Sequence, residues 1–313
     1  MSTAIIGHIT IDEIKFEKSG RKYLLCGGPP IYISNALSIF TKPVIVSTVG
    51  YDFPRFFMSK IREKSIPCVK IDRRRRTTRF LLVYDENYER KMYLLGKCSK
   101  ISWSQVANCL TGDVRNIIVS PVIGEMSYKT VAEIKANLDV NISLDAQGFV
   151  RKVNSYSKVI SVRSRTLEKL IPMIDLLKIS LDEIKGAPEG NPIPFLKMCF
   201  RRNSSIKVLL TLGRKGCLLA SRDTLIYAKP PENIEIVDPT GAGDILLGVY
   251  SYLTILKGFD DEEAIALAVA FASFSIGYVG PFTNYSLSHI DKLREETTSE
   301  TIPSMESIIG GIL

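Results

Sequence analysis

Short apolar runs alternate with amphipathic stretches along most of this chain. The apolar runs end at turn residues or charges, as buried strands do, and the stretches between them have apolar residues at helical spacing. The pattern predicts strands at Ala4–Ile9, Val44–Val49, Asn116–Ser120, Ile142–Asp145, Val159–Val162, Leu176–Ile179 and Lys207–Thr211. It predicts helices at Pro30–Phe40, Pro54–Lys64, Tyr128–Leu138, Thr166–Met173 and Pro194–Arg202. We therefore expect an α/β fold whose mainly parallel sheet has helices on both faces and binds ligands at the carboxyl ends of its strands.

Two segments interrupt this alternation and predict β-hairpins. Asp12–Phe16 and Lys22–Cys26 flank one turn, and Thr77–Tyr84 and Arg90–Leu95 flank another. Hairpins inserted into an α/β chain predict a small sheet that covers the site and excludes water from it. This lid would be formed by about 12–26 and 77–95. Because no repeat or linker marks a second domain, we expect residues 1–313 to form one domain.

Composition and charge narrow the class of protein. Of the 313 residues, 45% are hydrophobic and 24% charged, which is ordinary for a globular chain. The net charge of +8 is compatible with a protein that binds nucleic acid. However, the one dense basic run, Arg73–Arg76, has no aromatic residues within it and is typical of a solvated surface. No segment resembles a membrane span or a secretory signal, so we expect a cytoplasmic protein without nucleic-acid or membrane partners.

The cysteines indicate no metal site. None of them has Cys-x-x-Cys spacing, and the chain contains only two histidines. We therefore expect reduced, buried thiols in a cytoplasmic protein. The six are Cys26, Cys68, Cys98, Cys109, Cys199 and Cys217.

The segment from Asp238 to Asp244, Asp-Pro-Thr-Gly-Ala-Gly-Asp, precedes an apolar helical run. Its small residues let backbone amides converge on an anion at the start of that helix. Asp244, in the first turn, can accept the proton of a hydroxyl that attacks a phosphate. The segment predicts a small-molecule kinase. A Gly-rich strand-to-helix turn without chemistry is the other interpretation.

This segment resembles the second signature of the ribokinase/PfkB family of carbohydrate kinases. The resemblance implies a three-layer α/β/α fold with a mainly parallel central sheet and a small β-sheet lid. It implies ATP and Mg²⁺ as cofactors, a sugar or polyol as the small-molecule partner, and allows a homodimer formed through the lid. It also implies that Asp244 is the catalytic base and that Gly241, Ala242 and Gly243 stabilise the transferred phosphoryl group.

Acceptor-binding residues are expected near the start of the chain. Asp12 follows the first strand, and its position matches the family's acid for substrate hydroxyls; a surface carboxylate is the alternative. Gly27-Gly28 resembles the family's first signature, where two glycines admit a ligand close to the backbone. Tyr32 lies where ribokinases have an Asn, which argues against ribose. Glu125 follows another strand and is a further candidate, or a surface glutamate.

The segment from Asp145 to Arg151 is more distinctive, since it resembles the Asp-x-Gln-Gly-Phe-x-Arg of a myo-inositol kinase-like branch. Gln147 and Arg151 are therefore expected to bind hydroxyls or phosphate. We predict ATP-dependent phosphorylation of myo-inositol. A 2-keto-3-deoxygluconate or other sugar-acid kinase and a nucleoside kinase are the alternatives. A ligand sensor on a kinase scaffold, which would lack the base or the glycines, is the non-enzymatic one.

Donor-binding residues are implied by the resemblance in the second half of the chain. Glu183 matches the acid of the family's Asn-x-x-Glu, with Ser180 in place of Asn, and would act on Mg²⁺ through water. The family's Thr-x-Gly-x-x-Gly matches the segment that begins at Thr211, and the small-residue helix Ala264–Ile276 would form a wall of the adenine pocket. The implied nucleotide-binding residues are Thr211, Gly213, Gly216, Ala272, Ser275 and Gly280.

Overall fold

The computed structural model describes residues 2–110, 112–185 and 191–304. Its strands are β1 Ser2–Ile6, β2 Thr10–Phe16, β3 Lys22–Gly27, β4 Val44–Gly50, β5 Ile66–Asp72, β6 Arg79–Tyr84, β7 Arg90–Gly96, β8 Val114–Val119, β9 Asn141–Asp145, β10 Arg151–Val153, β11 Val159–Ser161, β12 Leu176–Ser180, β13 Lys207–Thr211, β14 Cys217–Ala220, β15 Leu225–Lys229 and β16 Thr298–Thr301. Its helices are α1 Pro29–Leu37, α2 Arg55–Lys64, α3 Trp103–Cys109, α4 Tyr128–Asn137, α5 Gln147–Val150, α6 Arg165–Leu170, α7 Leu181–Lys185, α8 Pro192–Arg202, α9 Ala242–Lys257, α10 Asp261–Ser275 and α11 Leu287–Glu296.

A ten-stranded sheet in the order β16-β15-β14-β13-β12-β9-β8-β1-β4-β5 runs through the molecule. Its strands from β13 to β5 pair in parallel, and β14, β15 and β16 are added antiparallel. The predicted mainly parallel sheet is confirmed. Because side chains alternate along a strand, Ile5 packs into the apolar layer formed with α1, α9 and α10. Its neighbours Ala4 and Ile6 pack into the layer on the opposite face, with α4, α6 and α8.

Both predicted hairpins are present, and they form one lid. Strands β2 and β3 pair antiparallel, as do β6 and β7. The parallel pairing of β2 with β6, in which Ile14 lies opposite Leu82, joins the hairpins into a four-stranded sheet. Its inner face carries the buried residues Ile14, Phe16, Phe80, Leu82, Tyr84 and Met92. The lid therefore packs on the body through its own apolar layer.

Some elements differ from the prediction. Val159–Ser161 is a strand, but it pairs with β10 in a separate two-stranded sheet and takes no place in the central one. The edge strand Ile66–Asp72 was not predicted, because it is half exposed and carries a proline and charges. The run Arg73–Arg76 follows it and is exposed in the connection to β6.

The prediction of six reduced thiols is wrong for two of them. Cys68 on β5 and Cys109 on α3 form a disulfide, with 5.7 Å between their Cα atoms. They are 41 residues apart, so no local spacing indicated the pair. The other four cysteines are free and buried. Among the helices of the described ranges, none has the length and apolar character needed to cross a bilayer. The cytoplasmic location stays a prediction.

Candidate active site

A cleft lies between the lid and the carboxyl ends of the central strands. The lid contributes its inner face, and the body contributes the loop that follows β8, the helix α5 with the start of β10, and the starts of α1 and α9. The lining residues are Thr10, Asp12, Gly28, Pro29, Tyr32, Phe80, Leu82, Arg90, Met92, Val122, Gln147, Arg151, Thr240, Gly241 and Asp244. Most of the residues that were predicted to bind the acceptor or catalyse transfer therefore meet here, although Gly27, Glu125, Ala242 and Gly243 are not among the lining residues.

The start of α9 forms one wall of the cleft. Gly241 caps this helix in a left-handed conformation with φ of 83°. A β-carbon on Gly241 would overlap the ring of Tyr32, so the backbone of Gly241 packs directly against this ring. Asp238 holds the preceding turn, since its carboxylate accepts the N–H groups of Thr240 and Gly280, each at 3.0 Å. The first N–H groups of a helix have no partner within it, so this end can bind an anion.

Asp244 lies in the first turn of α9 and lines the cleft. Burial raises the pKa of this carboxyl to about 7, and the neighbouring charge of Asp145 adds to the rise. The cations of Lys178, Arg151 and Arg90 oppose it. The side-chain amide of Gln147 donates a hydrogen bond to Oδ1 of Asp244 at 3.2 Å. A carboxylate that titrates near neutrality and has a fixed orientation is suited to general base catalysis.

Two buried ion pairs lie near Asp244. Nζ of Lys178 lies 3.0 Å from Oδ2 of Asp145, and a β-carbon on Gly243 would lie 3.2 Å from the same Nζ. The Lys178 ammonium is thus beneath the start of α9. Nη2 of Arg151 lies 3.0 Å from Oε1 of Glu183. Removing one member of such a pair would leave the other charge buried without compensation, so we expect the pairs to act as units.

Glu183 has no free carboxylate oxygen. Its Oε1 contacts Arg151, its Oε2 accepts the N–H of Ser180 at 2.9 Å, and its own N–H donates to the Ser180 hydroxyl at 3.2 Å. In the described part of the chain, no three His, Cys, Asp or Glu side chains converge as a metal site would require. These contacts fit a Glu183 that acts on a metal through water; they do not fit a direct ligand.

Asp12, on β2, is almost fully buried and also lines the cleft. Burial raises the pKa of its carboxyl to about 7. Within the described ranges, Oδ1 of Asp12 and Oγ1 of Thr10 have no hydrogen-bond partner. A β-carbon on Gly27 would overlap the Asp12 carboxylate, so this position requires glycine. Buried acceptors without donors fit a ligand that brings hydroxyl groups.

Glu125 is not brought to the cleft. It is fully buried, and its carboxylate accepts the N–H groups of His8, Val122 and Ile123 at 2.7 to 3.1 Å. These hydrogen bonds fix the loop after β8, and Val122 of that loop lines the cleft. The geometry indicates a structural carboxylate at this position.

The predicted nucleotide-binding residues lie outside the cleft lining. Thr211 ends β13, and Gly213 and Gly216 form the turn into β14. The Ser275 hydroxyl donates to the carbonyl of Ala272 at 2.7 Å, within α10. The N–H of Gly280 is bound to Asp238. Their role in binding a nucleotide stays a prediction.

Sequence reasoning missed several residues of the site. Lys178 was not singled out, although a lysine inside the apolar run of β12 is a signal of a buried, paired charge. Arg90 was assigned to the lid without a role, although it lies opposite Tyr84 in the β6–β7 register and therefore on the inner face. The apolar lid residues Phe80, Leu82 and Met92 also line the cleft.

The chain is similar in sequence to known kinases. Residues 26–286 match the model of pfkB family carbohydrate kinases. The chain is 24% identical over 312 residues to an ATP-dependent 6-phosphofructokinase of Thermoanaerobacterium thermosaccharolyticum, covering 92% of this chain and 91% of that protein. It is 25% identical over 280 residues to an inositol 3-kinase of Arabidopsis thaliana, covering 86% of this chain and 72% of that one.

Solved structures show the fold. A pyrophosphate-dependent kinase in the ribokinase family, complexed with a pyrophosphate analog and myo-inositol, has a TM-score of 0.77 at 19% identity and covers 90% of this chain and 97% of its own. The ribokinase of Thermotoga maritima has a TM-score of 0.68 at 16% identity, with 94% and 99% covered. The fold is therefore ribokinase-like, as the sequence resemblance implied.

Proposed function

This chain belongs to the pfkB family of carbohydrate kinases, and we propose that it transfers the terminal phosphoryl group of ATP to a hydroxyl of a small polyol. The observation that carries the proposal is the placement of Asp244. Its carboxylate, with a pKa of about 7, lies at the start of α9 in the same cleft as the unpartnered acceptors of Asp12 and Thr10.

In the proposed reaction, Asp12 accepts hydrogen bonds from the acceptor and directs one hydroxyl towards Asp244. The oxygen of that hydroxyl forms a bond to the γ-phosphorus of ATP, and the bond between this phosphorus and the bridging oxygen breaks. The electron pair of the broken bond leaves with ADP, and the hydroxyl proton goes to Asp244. Gln147 keeps the receiving carboxylate oriented through its hydrogen bond.

Charge on the transferred group is stabilised in this proposal by the amides of Gly241, Ala242 and Gly243 and by the positive end of α9. Lys178 adds a buried cation below them. Mg²⁺, when bound with the donor, would neutralise part of the charge on its phosphates. Glu183 would act on that ion through water, because both of its oxygens are occupied by Arg151 and by the N–H of Ser180.

Myo-inositol is our proposed acceptor. A neutral, ring-shaped polyol would supply several donors to the buried oxygens of Asp12 and Thr10, and Tyr32, Phe80 and Leu82 offer flat apolar surfaces to its ring. The plant relative is an inositol 3-kinase, and one solved neighbour binds myo-inositol. Because another relative is a 6-phosphofructokinase, a sugar phosphate is the alternative class of acceptor.

A panel assay tests the proposal. Purified protein with Mg²⁺ is given either ATP or pyrophosphate, and one of myo-inositol, 2-keto-3-deoxygluconate, ribose, fructose 6-phosphate or adenosine. We expect the fastest turnover with ATP and myo-inositol, and loss of it in Asp244→Asn. Fast turnover of adenosine without turnover of inositol would overturn the acceptor, and turnover with pyrophosphate alone would overturn the donor. An inactive protein across the panel would support the ligand sensor.

We also propose that two copies associate through the lid. Its edge strands β3 and β7 carry Leu24 and Leu95, which are 57% and 50% exposed. Light scattering of the wild type should give the mass of a dimer, and the variant with Leu24→Glu and Leu95→Glu should give that of a monomer. A monomeric wild type at assay concentration would contradict this proposal.

A further inference from the structure

Arg90 is a cation on the inner face of the lid, and it lines the cleft. It begins β7, lies opposite Tyr84 in the lid and lines the cleft together with Asp244, Thr240 and Gly241. The hydroxyl of Tyr84 lies 2.8 Å from Oγ1 of Thr240, directly before the start of α9. This contact places the Arg90 end of the lid above the predicted phosphoryl-binding amides.

The charge around Arg90 is negative. Burial opposes its positive charge, but Tyr84 and the carboxylates of Asp244 and Glu183 raise the pKa of its guanidinium. Burial raises the pKa of Asp12 and of Asp238, and the charge of Arg90 offsets part of each rise. Arg90 is thus close enough to act electrostatically on the proposed base and on the proposed acceptor ligand at the same time.

Arg90 differs from the other cations of the site because its hydrogen-bond partner is the hydroxyl of Tyr84 and not a carboxylate. Lys178 is paired with Asp145, and Arg151 is paired with Glu183. Across the residues that the structure describes, no carboxylate lies within ion-pair distance of Arg90. Although protein atoms surround its guanidinium, part of Arg90 remains accessible to solvent. Its planar fork of N–H donors matches phosphate oxygens and remains available for them.

We propose that Arg90 is a catalytic residue carried by the lid, which binds the phosphoryl group while it moves from the donor to the acceptor oxygen. This inference rests on the proposed kinase function. As the new phosphorus–oxygen bond forms and the bridging bond breaks, the leaving oxygen takes the electron pair and Asp244 takes the proton. Arg90 binds the equatorial oxygens of the group in transit, and its charge is stronger there than in water.

The proposal gives the lid a chemical purpose in addition to shielding. Arg90 belongs to the lid, whereas the amides at the start of α9 and Asp244 belong to the body. The complete set of groups therefore exists only when the lid lies over the body, as it does here through the contact of Tyr84 with Thr240.

Arg90→Met and Arg90→Lys test the inference, with Arg79→Met as the matched control. Arg79 belongs to the same sheet, but it pairs with exposed Glu13 at 3.6 Å and does not line the cleft. With the acceptor and donor that the wild type turns over fastest, we expect kcat of Arg90→Met to fall by about 10³-fold. The KM for the acceptor should change by less than about threefold, and Arg90→Lys should recover only a small part of kcat.

The pH profile adds a readout that a merely structural role would not move. Loss of the Arg90 charge removes one of the groups that lower the pKa of Asp244, so the acid limb of kcat should move to higher pH in Arg90→Met. Arg79→Met should keep the wild-type limb and rate.

Three outcomes would overturn the inference. They are an unchanged kcat in Arg90→Met, full recovery by Arg90→Lys, and a more than tenfold rise of the acceptor KM at constant kcat, which would make Arg90 a ligand of the acceptor. Circular dichroism shows whether Arg90→Met misfolds. If it does, the kcat of Arg90→Lys tests the inference, because lysine keeps the positive charge and the aliphatic part of the side chain. A wild type that phosphorylates none of the panel contradicts the proposed function itself, which separates that failure from this one.

Discussion

The ring of Tyr32 occupies the space in which a β-carbon of Gly241 would lie. Tyr32 belongs to α1 and Gly241 caps α9, so the contact brings the starts of two buried helices together at the cleft. Each residue had been predicted as part of the site on separate grounds. Their contact shows that the glycine leaves room for the tyrosine ring as well as exposing its own amide.

Gly241→Ala should therefore remove most of the activity. The new β-carbon overlaps Tyr32 and the left-handed backbone strains an alanine, so the start of α9 must shift and its amides lose their placement. We expect turnover to fall by about 10²-fold or more. Gly258→Ala is the control, because Gly258 caps the other end of α9 with φ of 72° and has no atom within 4 Å of an added β-carbon. Equal activity of the two variants would refute the role of Gly241.

Asp244→Asn should retain the fold and lose the base. The amide has the same shape but cannot take the proton, so we expect kcat to fall by about 10²- to 10⁴-fold while donor binding persists. In the wild type, the base must be deprotonated, so log kcat/KM should rise with pH up to about 7 and then level off. Isothermal titration and a pH–rate profile measure the two effects. A variant within about tenfold of the wild type would exclude Asp244 as the base.

Asp12→Asn should change how stability depends on pH. The pKa of Asp12 rises from 3.8 to about 7 on folding, so the unfolded chain loses this proton first and the free energy of unfolding falls as pH increases from about 4 to 7. This difference in pKa corresponds to a change of at most about 4 kcal/mol in the free energy of unfolding. The variant should be more stable than the wild type at pH 8 and nearly equal to it at pH 4. Urea unfolding at both values measures this, with exposed Asp291→Asn as a control that should show no such dependence.

Reduction of the Cys68–Cys109 disulfide should destabilise the protein. The bridge closes a sequence separation of 41 residues and joins the edge strand β5 to α3. A loop of that length gives about 4 kcal/mol in the chain-entropy model. Since neither cysteine lines the cleft, kcat at 25 °C should stay close to that of the oxidised protein. Thermal unfolding with and without reductant, and in Cys68→Ala, checks this, with the buried free Cys199→Ala as a comparison. An unchanged transition on reduction would contradict a structural role.

The architecture could be predicted from the sequence because the signals for strands, helices and turns are local. Strand and helix periodicities depend on residues a few positions apart, and the Asp238–Asp244 segment combines a turn, a helix start and a carboxylate in one stretch. Both lid hairpins could be predicted for the same reason. The strands β14, β15 and β16 were not predicted; β16 is polar and largely exposed, so it lacks the apolar pattern of a buried strand.

Contacts between distant residues were decided only by the tertiary structure. Lys178 and Asp145 are 33 positions apart and meet because β9 and β12 are neighbours in the sheet. Glu125 belongs to a loop at the ligand-binding edge, yet backbone N–H groups take both of its oxygens. Arg90 enters the cleft because the pairing of β6 with β7 determines the face on which it lies. A side chain's type can be read from the sequence, but its partners depend on packing, since burial makes every charge and hydrogen bond in the site depend on its neighbours.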